Sequence, residues 1–368
     1  MDEYLQMINR CIDCYTCNLA CPIYNFTHKE VDSPNSRIHI AKRIFNKEKI
    51  VPDEFEAIYN CPKCEKCELT CPSDIKISKI VGKAREELFK QGYELVPGHQ
   101  KLRDSIIQNR NSVKGDPAHL LDYLPDNFTY DESATTLFYA GCLPGYFLKD
   151  IATSSVQILK RIGTPFKILK DEICCGSPLM DLGDTETAKK FFKENLEIFE
   201  KNQVKELIVS CAGCYRCFKE FYSEVLGVNI NVRHIIDIIA EALKEGRIQF
   251  KKIDKKVIYH DPCHLSREFG KYDSPRAILT EATESLVEFL TKRQAADCCG
   301  ADSAVRAGFT DLSVQIALKR VDTAIDRADI LTTSCPFCTF NLNYARKKNN
   351  RDLDIQYITN FLLNAIKD

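Results

Sequence analysis

Eighteen of the 19 cysteines in this 368-residue chain fall into four ordered groups, and thiolates at such spacings do metal chemistry. Two groups read C-x2-C-x2-C-x3-C-P: Cys11, Cys14, Cys17, Cys21 before Pro22, and Cys61, Cys64, Cys67, Cys71 before Pro72. In such a run the first three thiolates wrap one [4Fe–4S] cubane and the fourth ligates its neighbour. One cubane is therefore expected on Cys11, Cys14, Cys17 and Cys71. The other is expected on Cys61, Cys64, Cys67 and Cys21. Pro22 and Pro72 have no amide hydrogen and turn the chain away. Neither set leaves an open ligand position, so the expected role is conduction.

The other two groups read C, about thirty residues, C-C-G, thirty-four residues, C-x2-C. They are Cys142, Cys174, Cys175, Cys211, Cys214 and Cys263, Cys298, Cys299, Cys335, Cys338. A cubane needs four thiolates and each set offers five. Neighbouring cysteines leave the backbone in different directions and do not easily share one cube. The set points to a distorted cluster with a bridging sulfur; a four-cysteine cubane with one free thiol is the plainer alternative. Gly176 and Gly300 are expected to take positive φ or to let the backbone pass close to the cluster. Disulfides are disfavoured by the odd cysteine count, the chain's size and the lack of an export signal. Structural zinc explains an isolated C-x2-C but not the vicinal pairs.

Other residues near these motifs carry candidate chemistry. Cys217 extends the first C-x2-C without a counterpart in the second half; the plain reading is a buried small hydrophobe, the other a swapped ligand or a reactive thiol. His260 and His264 flank Cys263. Iron ligation is disfavoured because the cysteine sets are complete, leaving a structural hydrogen bond or proton handling, with His264 preferred. Arg267 and Arg306 suit an anionic substrate, or else ordinary ion pairs. Lys160, Lys167, Lys170 and the basic stretch 251–256 read as solvated surface.

These residues need elements to hold them. Ile38, Ala41, Ile44 and Phe45 repeat at helical spacing, as do the apolar positions of ISKIVGKAREELFKQG, which Gly92 and Pro97 should stop. A mostly helical domain is expected over residues 1–95. A connector follows over 96–132, with one helix near 99–109. Beyond it the chain repeats: TLFYAGC against KVIYHDPC, ICCG against DCCG, KELIVSCAGC against ADILTTSCPFC. The offset is 121 residues at Cys142 and Cys263, and 124 at the two later pairs. Short apolar runs end at cysteines, and helical patterns at 149–161, 184–202, 274–281 and 310–328 separate them. This alternation predicts two repeated α/β domains, 133–250 and 251–368, with largely parallel sheets and pseudo-twofold symmetry. Ligands in such sheets sit at the carboxyl ends of strands, where Cys142, Cys211, Cys263 and Cys335 fall.

Here the motifs carry a resemblance. The chain resembles the D-type subunit of heterodisulfide reductase, a fusion of a ferredoxin-like electron carrier with a cysteine-rich C-C-G catalytic subunit. The resemblance implies two facing noncubane [4Fe–4S] clusters, each on one five-cysteine set. It also implies reductive cleavage of the coenzyme M–coenzyme B disulfide between them, in an anaerobic, methanogenic setting. HDPCHLSREFGKYDSPRAIL at 260–279 and SPNSRI at 33–38 are similar to a wider family of iron–sulfur oxidoreductase subunits as well. In those, glycolate, lactate or glycerol-3-phosphate is oxidised on a flavin subunit and this kind of chain relays electrons. A non-catalytic relay in a larger complex is a third class.

Composition bounds the rest. With 51 basic and 52 acidic residues the chain has no basic surplus for nucleic acid. No apolar run spans a bilayer and the N-terminus carries no signal core, so a cytoplasmic location is expected, with any membrane link through a partner. No glycine-rich dinucleotide fingerprint occurs, so flavin and nicotinamide are not expected here. The expected partners are a flavoprotein or cytochrome b redox subunit and a small anionic disulfide or thiol.

Overall fold

The computed structural model describes residues 1–367. Among them, no strand precedes Thr136. Residues up to 90 fold around the helices Pro34–Phe45, Pro52–Tyr59 and Ile77–Lys90. Their apolar faces meet in a core of Ile38, Ala41, Ile44, Ile58, Ile80, Val81 and Leu88. Ser33 caps the first helix by accepting from the Ser36 amide at 3.0 Å, with Pro34 at the first helical position. Pro97 departs from expectation. It opens the connector helix Pro97–Asn109 rather than only stopping its predecessor, because the first helical turn has no use for the missing amide hydrogen.

The remaining residues form two parallel sheets. The first contains β1 (Thr136–Tyr139), β2 (Glu206–Val209) and β3 (Val232–His234), in that spatial order. The second contains β4 (Ile253–His260), β5 (Thr283–Val287), β6 (Ile330–Thr333) and β7 (Asp354–Tyr357), ordered β5-β4-β6-β7. In the first half a parallel bridge between Leu137 and Lys167 stands where β5 flanks β4 in the second. Both halves thus share one strand order. β1, β2, β4 and β6 are each followed within three residues by a motif cysteine.

The helical patterns appear as Lys149–Ile162, Thr185–Lys201, Asp273–Ala282 and Thr310–Ile325. One continuous apolar core runs through both halves. The last helix, Ile358–Ala365, packs on Lys149–Ile162, where Thr359 Oγ1 lies 2.6 Å from Ser154 Oγ. Lys167 is buried rather than solvated: its bridge to Leu137 draws it inward, and its ammonium donates to the Asn202 carbonyl at 2.8 Å.

Candidate metal centres and the adjoining cavity

The two C-x2-C-x2-C-x3-C-P loops adopt matching backbones. Asp13 and Tyr15 in one, Lys63 and Glu65 in the other, all take left-handed φ between 50° and 62°. Left-handed residues other than glycine are uncommon, and here they wind each loop inward around its cysteines. The loops are pinned to each other: Thr16 Oγ1 donates to Thr70 O at 3.0 Å, and Thr70 Oγ1 to Thr16 O at 3.4 Å. Burial, then the nearby Cys71 and Cys11, push the Cys17 thiol up to about 11. Cys21 instead sits with the other loop: it and Cys61, Cys64 and Cys67 line one small cavity. The structure therefore brings Cys11, Cys14, Cys17 and Cys71 together, and Cys21 together with Cys61, Cys64 and Cys67. The first set is the outer one, with Cys14 exposed; in the inner set only Cys67 is not fully buried.

In the first C-C-G set, the Cys142, Cys174, Cys175, Cys214 and Cys211 side chains touch in that sequence. In the second, contact runs Cys263, Cys298, Cys299, Cys338, Cys335. Gly176 and Gly300 have φ of +91° and +78°. Their amides approach Cys174 Sγ at 3.4 Å and Cys298 Sγ at 3.2 Å. Cys211 and Cys335 each stand just before a helix, and contact with Cys211, then with Cys338, holds the Cys335 thiol well below its ordinary value. Against that, the Cys142 thiol is pushed well above its ordinary value by its Cys174 neighbour and by burial. So much buried, mutually repelling thiolate is stable only around cations, and all-sulfur donor sets select iron–sulfur clusters or zinc. The residues fit the cluster reading.

Three of the four sets also touch in series. Cys64 of the inner set contacts Cys298. Cys211 contacts Cys335, joining the two C-C-G sets. A cavity of about 280 Å³ opens on the first set alone and is lined by all five of its cysteines. Leu102, Val113, Phe147 and Phe337 make its wall largely apolar, while Asp302 and Arg306 add charge. The second set lies behind, all five cysteines buried.

The candidate side chains separate by position. Arg306 lines the cavity; its guanidinium stacks 4.2 Å from the Tyr344 ring centre, and Nε and Nη1 are buried without partners. Arg267 lies elsewhere, donating to the carbonyls of Cys64, Gln294 and Ala296 where the helical region meets the second half. His264 is buried off the cavity, its Nδ1 2.8 Å from Glu268 and its Nε2 3.4 Å from Asp302, which does line it. His260 lies against the second set: one of its ring nitrogens and the sulfurs of Cys299 and Cys338 lie within 4.8 Å of one another. Cys217 is fully buried and donates to the Cys175 carbonyl at 3.1 Å.

Sequence reasoning passed over the charged residues beneath these sets. Asp181 pairs with Lys63 at 2.9 Å, and Arg37 and Arg85 are buried beside the inner cysteines. Lys63 was visible inside its motif and Arg37 inside SPNSRI. Nothing in the order of residues told that they lose contact with solvent.

Comparison with known proteins agrees with this geometry. The 4Fe-4S dicluster domain family matches residues 7–75, and the cysteine-rich domain family matches 136–219 and 257–343. The chain is 33% identical to an uncharacterized iron–sulfur protein of Methanococcus maripaludis, over 92% of this chain and 68% of that one. It is 28% identical to the D-type subunit of the dihydromethanophenazine:CoB–CoM heterodisulfide reductase of Methanosarcina barkeri, over 98% and 95%. It is 29% identical to the EtfAB:quinone oxidoreductase of Syntrophomonas wolfei, over 77% and 42%. No helix among the described residues is long and apolar enough to cross a membrane. With its dicluster domain, its doubled cysteine-rich domain and these relatives, the chain belongs to the family of iron–sulfur oxidoreductase subunits related to the D-type subunit of heterodisulfide reductase.

Proposed function

We propose that this chain cleaves a small anionic disulfide in the cavity beside the first C-C-G set: RSSR′ plus two electrons and two protons gives RSH and R′SH. One observation carries the reading: the same apolar cavity is lined by five cysteines and by Arg306, whose buried Nε and Nη1 have no hydrogen-bond partner. We assign Cys11, Cys14, Cys17, Cys71 and Cys61, Cys64, Cys67, Cys21 to two cubanes, and the two five-cysteine sets to two noncubane clusters. When bound, these supply the electrons and a thiophilic iron for the sulfur being released.

The chain's own residues do the rest. The apolar wall excludes water and takes the carbon chain of the substrate. Arg306 holds its anionic group, since two unpartnered N–H donors in a buried site are best satisfied by an oxyanion. Asp302, bonded to His264, hands a proton to the departing thiolate. Arg267 holds the helical region against the second half instead of touching substrate. Contacts from Cys64 to Cys298 and from Cys335 to Cys211, with the Thr16–Thr70 bonds between the two ferredoxin-type loops, support electron transfer along the four sets. The relatives named for the CoB–CoM heterodisulfide make that compound the first substrate to test. We divide the chain at 1–95, 96–132, 133–250 and 251–368, with the shared strand order supporting a pseudo-twofold relation between the last two.

The test uses the anaerobically purified chain with a reduced viologen. Viologen oxidation that depends on the CoM–CoB heterodisulfide is the expected result. Arg306→Gln should raise KM about tenfold or more for anionic disulfides, and much less for an uncharged one, with kcat little changed. Reducible clusters with no turnover of any disulfide would favour the second reading, an electron relay. The likeness to an EtfAB:quinone oxidoreductase motivates that reading, with a flavoprotein or cytochrome b as partner.

A further inference from the structure

Two buried arginines beside the inner cysteine set have no carboxylate partner. Arg37 is 1% exposed; its Nε donates to Ala57 O at 2.7 Å, Nη2 to Asn60 Oδ1 at 2.6 Å and Nη1 to Cys21 Sγ at 3.5 Å. Arg85 is fully buried, and its donors go only to the carbonyls of Ile58, Tyr59, Cys61, Asp181 and Ser303. Neither makes an ion pair among the described residues. The nearest compensation for Arg37 is Asp32, reached through Asn60, whose amide donates to Asp32 at 2.6 Å. Lys63, between Cys61 and Cys64, adds a third buried cation but is paired with Asp181.

An uncompensated buried guanidinium is strongly destabilising. Here the missing anion is on hand: four thiolates around a cubane are net negative, and more so after one-electron reduction. The outer set has a different setting. Its polar neighbours are Asp13, 3.6 Å from Cys11 Sγ, with Asn35 and Thr16, and Cys14 is exposed. Two carboxylates also lie near the inner set, Glu68 accepting from the Ser78 amide and Glu65 from its hydroxyl, but neither pairs with Arg37 or Arg85. A fixed cation in a dry site favours the more negative member of a redox pair.

We infer that Arg37, with Arg85, is a positioning charge that makes the inner cubane the easier of the two to reduce, so that an electron arriving at the exposed outer cubane moves inward, toward Cys64 and its contact with Cys298. In that step the outer cubane is oxidised, the inner one is reduced, and the first electron comes from the redox partner. The inference rests on the two-cubane reading.

The test is a potentiometric titration of the full chain followed by electron paramagnetic resonance. The inner signal is identified as the one a Cys67→Ser change perturbs. The inner cubane should reduce first. Arg37→Gln should shift the electron-sharing equilibrium between the cubanes by about tenfold toward the outer one, ~59 mV for a one-electron couple, with the outer midpoint unmoved. Arg37→Lys keeps the charge but loses the fork, so it should hold the potential while lowering thermal stability. If Arg37→Gln loses iron, Arg85→Gln serves as the second variant with the same expected direction. An unmoved inner midpoint in an iron-replete variant, or an outer cubane that reduces first, overturns the inference. A wild-type chain with full iron but without two cubane signals would instead overturn the cluster reading beneath it.

Discussion

His99 shows how a single residue ties stability to pH. It is fully buried between the rings of Tyr59 and Phe309, and its Nε2–H donates to the Ala304 carbonyl at 3.0 Å. Its Nδ1 has no partner. A second proton would place an unsatisfied charge in the core, so burial, then nearby Arg85, lowers its pKa to about 4. The folded state therefore prefers the neutral ring. The resulting stability is present above the unfolded value of about 6.5 and is lost as pH falls toward 4. Urea unfolding should show the wild type losing roughly 2 kcal/mol more than His99→Gln between pH 7.5 and pH 5. Parallel pH profiles for the two proteins would refute it. Cys217 teaches a different point at the same scale. Its spacing invites a ligand role, yet its thiol is turned onto a backbone carbonyl.

At the scale of elements, the C-C-G turns depend on glycine. Gly176 lies at φ +91°, and a Cβ there would sit 2.5 Å from the Phe192 ring; at Gly300 it would sit 2.9 Å from Ser313 O. Gly176→Ala should cost roughly 2–3 kcal/mol through strain and overpacking. It should also lower iron and sulfide below the about 16 of each expected for four [4Fe–4S] clusters. Full metal content with unchanged stability would show the turn to be tolerant. These turns were legible because C-C-G is short, local and repeated. So were β1, β2, β4 and β6, where apolar β-branched runs end at a cysteine. β3, β5 and β7 were not. β5 follows Asp273–Ala282 with no break residue, and its Thr-Glu-Ser-Leu-Val reads as more helix; only hydrogen bonding to β4 makes it a strand. The cavity was illegible for a related reason. Phe147, Phe337 and Arg306 converge from three separate segments, and no local pattern records that.

At the scale of the whole molecule, the three regions are fastened at one carboxylate. Asp181 lies on the short helix after the first C-C-G. Its Oδ1 meets Lys63 of the helical region at 2.9 Å and Ser303 of the second half at 3.2 Å, with Arg216 of the first half at 3.9 Å. Burial opposes ionisation, but Lys63 and Arg216 hold this carboxyl well below the usual range. The partners do not depend on it equally. Arg216 also reaches Glu268 at 3.3 Å and Glu220 at 3.6 Å, whereas Lys63 makes no other ion pair among the described residues. Asp181→Ala should therefore cost about 3–5 kcal/mol, chiefly by stranding the Lys63 ammonium in the dry junction. Removing that ammonium as well should recover most of the loss. In the double-mutant cycle, Asp181→Ala with Lys63→Met should be more stable than Asp181→Ala alone, with a coupling of about 2 kcal/mol or more in urea unfolding. Additive losses would mean that Asp181 acts through Ser303 and the backbone rather than through the ion pair, and that the junction between the helical domain and the C-C-G halves is held by packing.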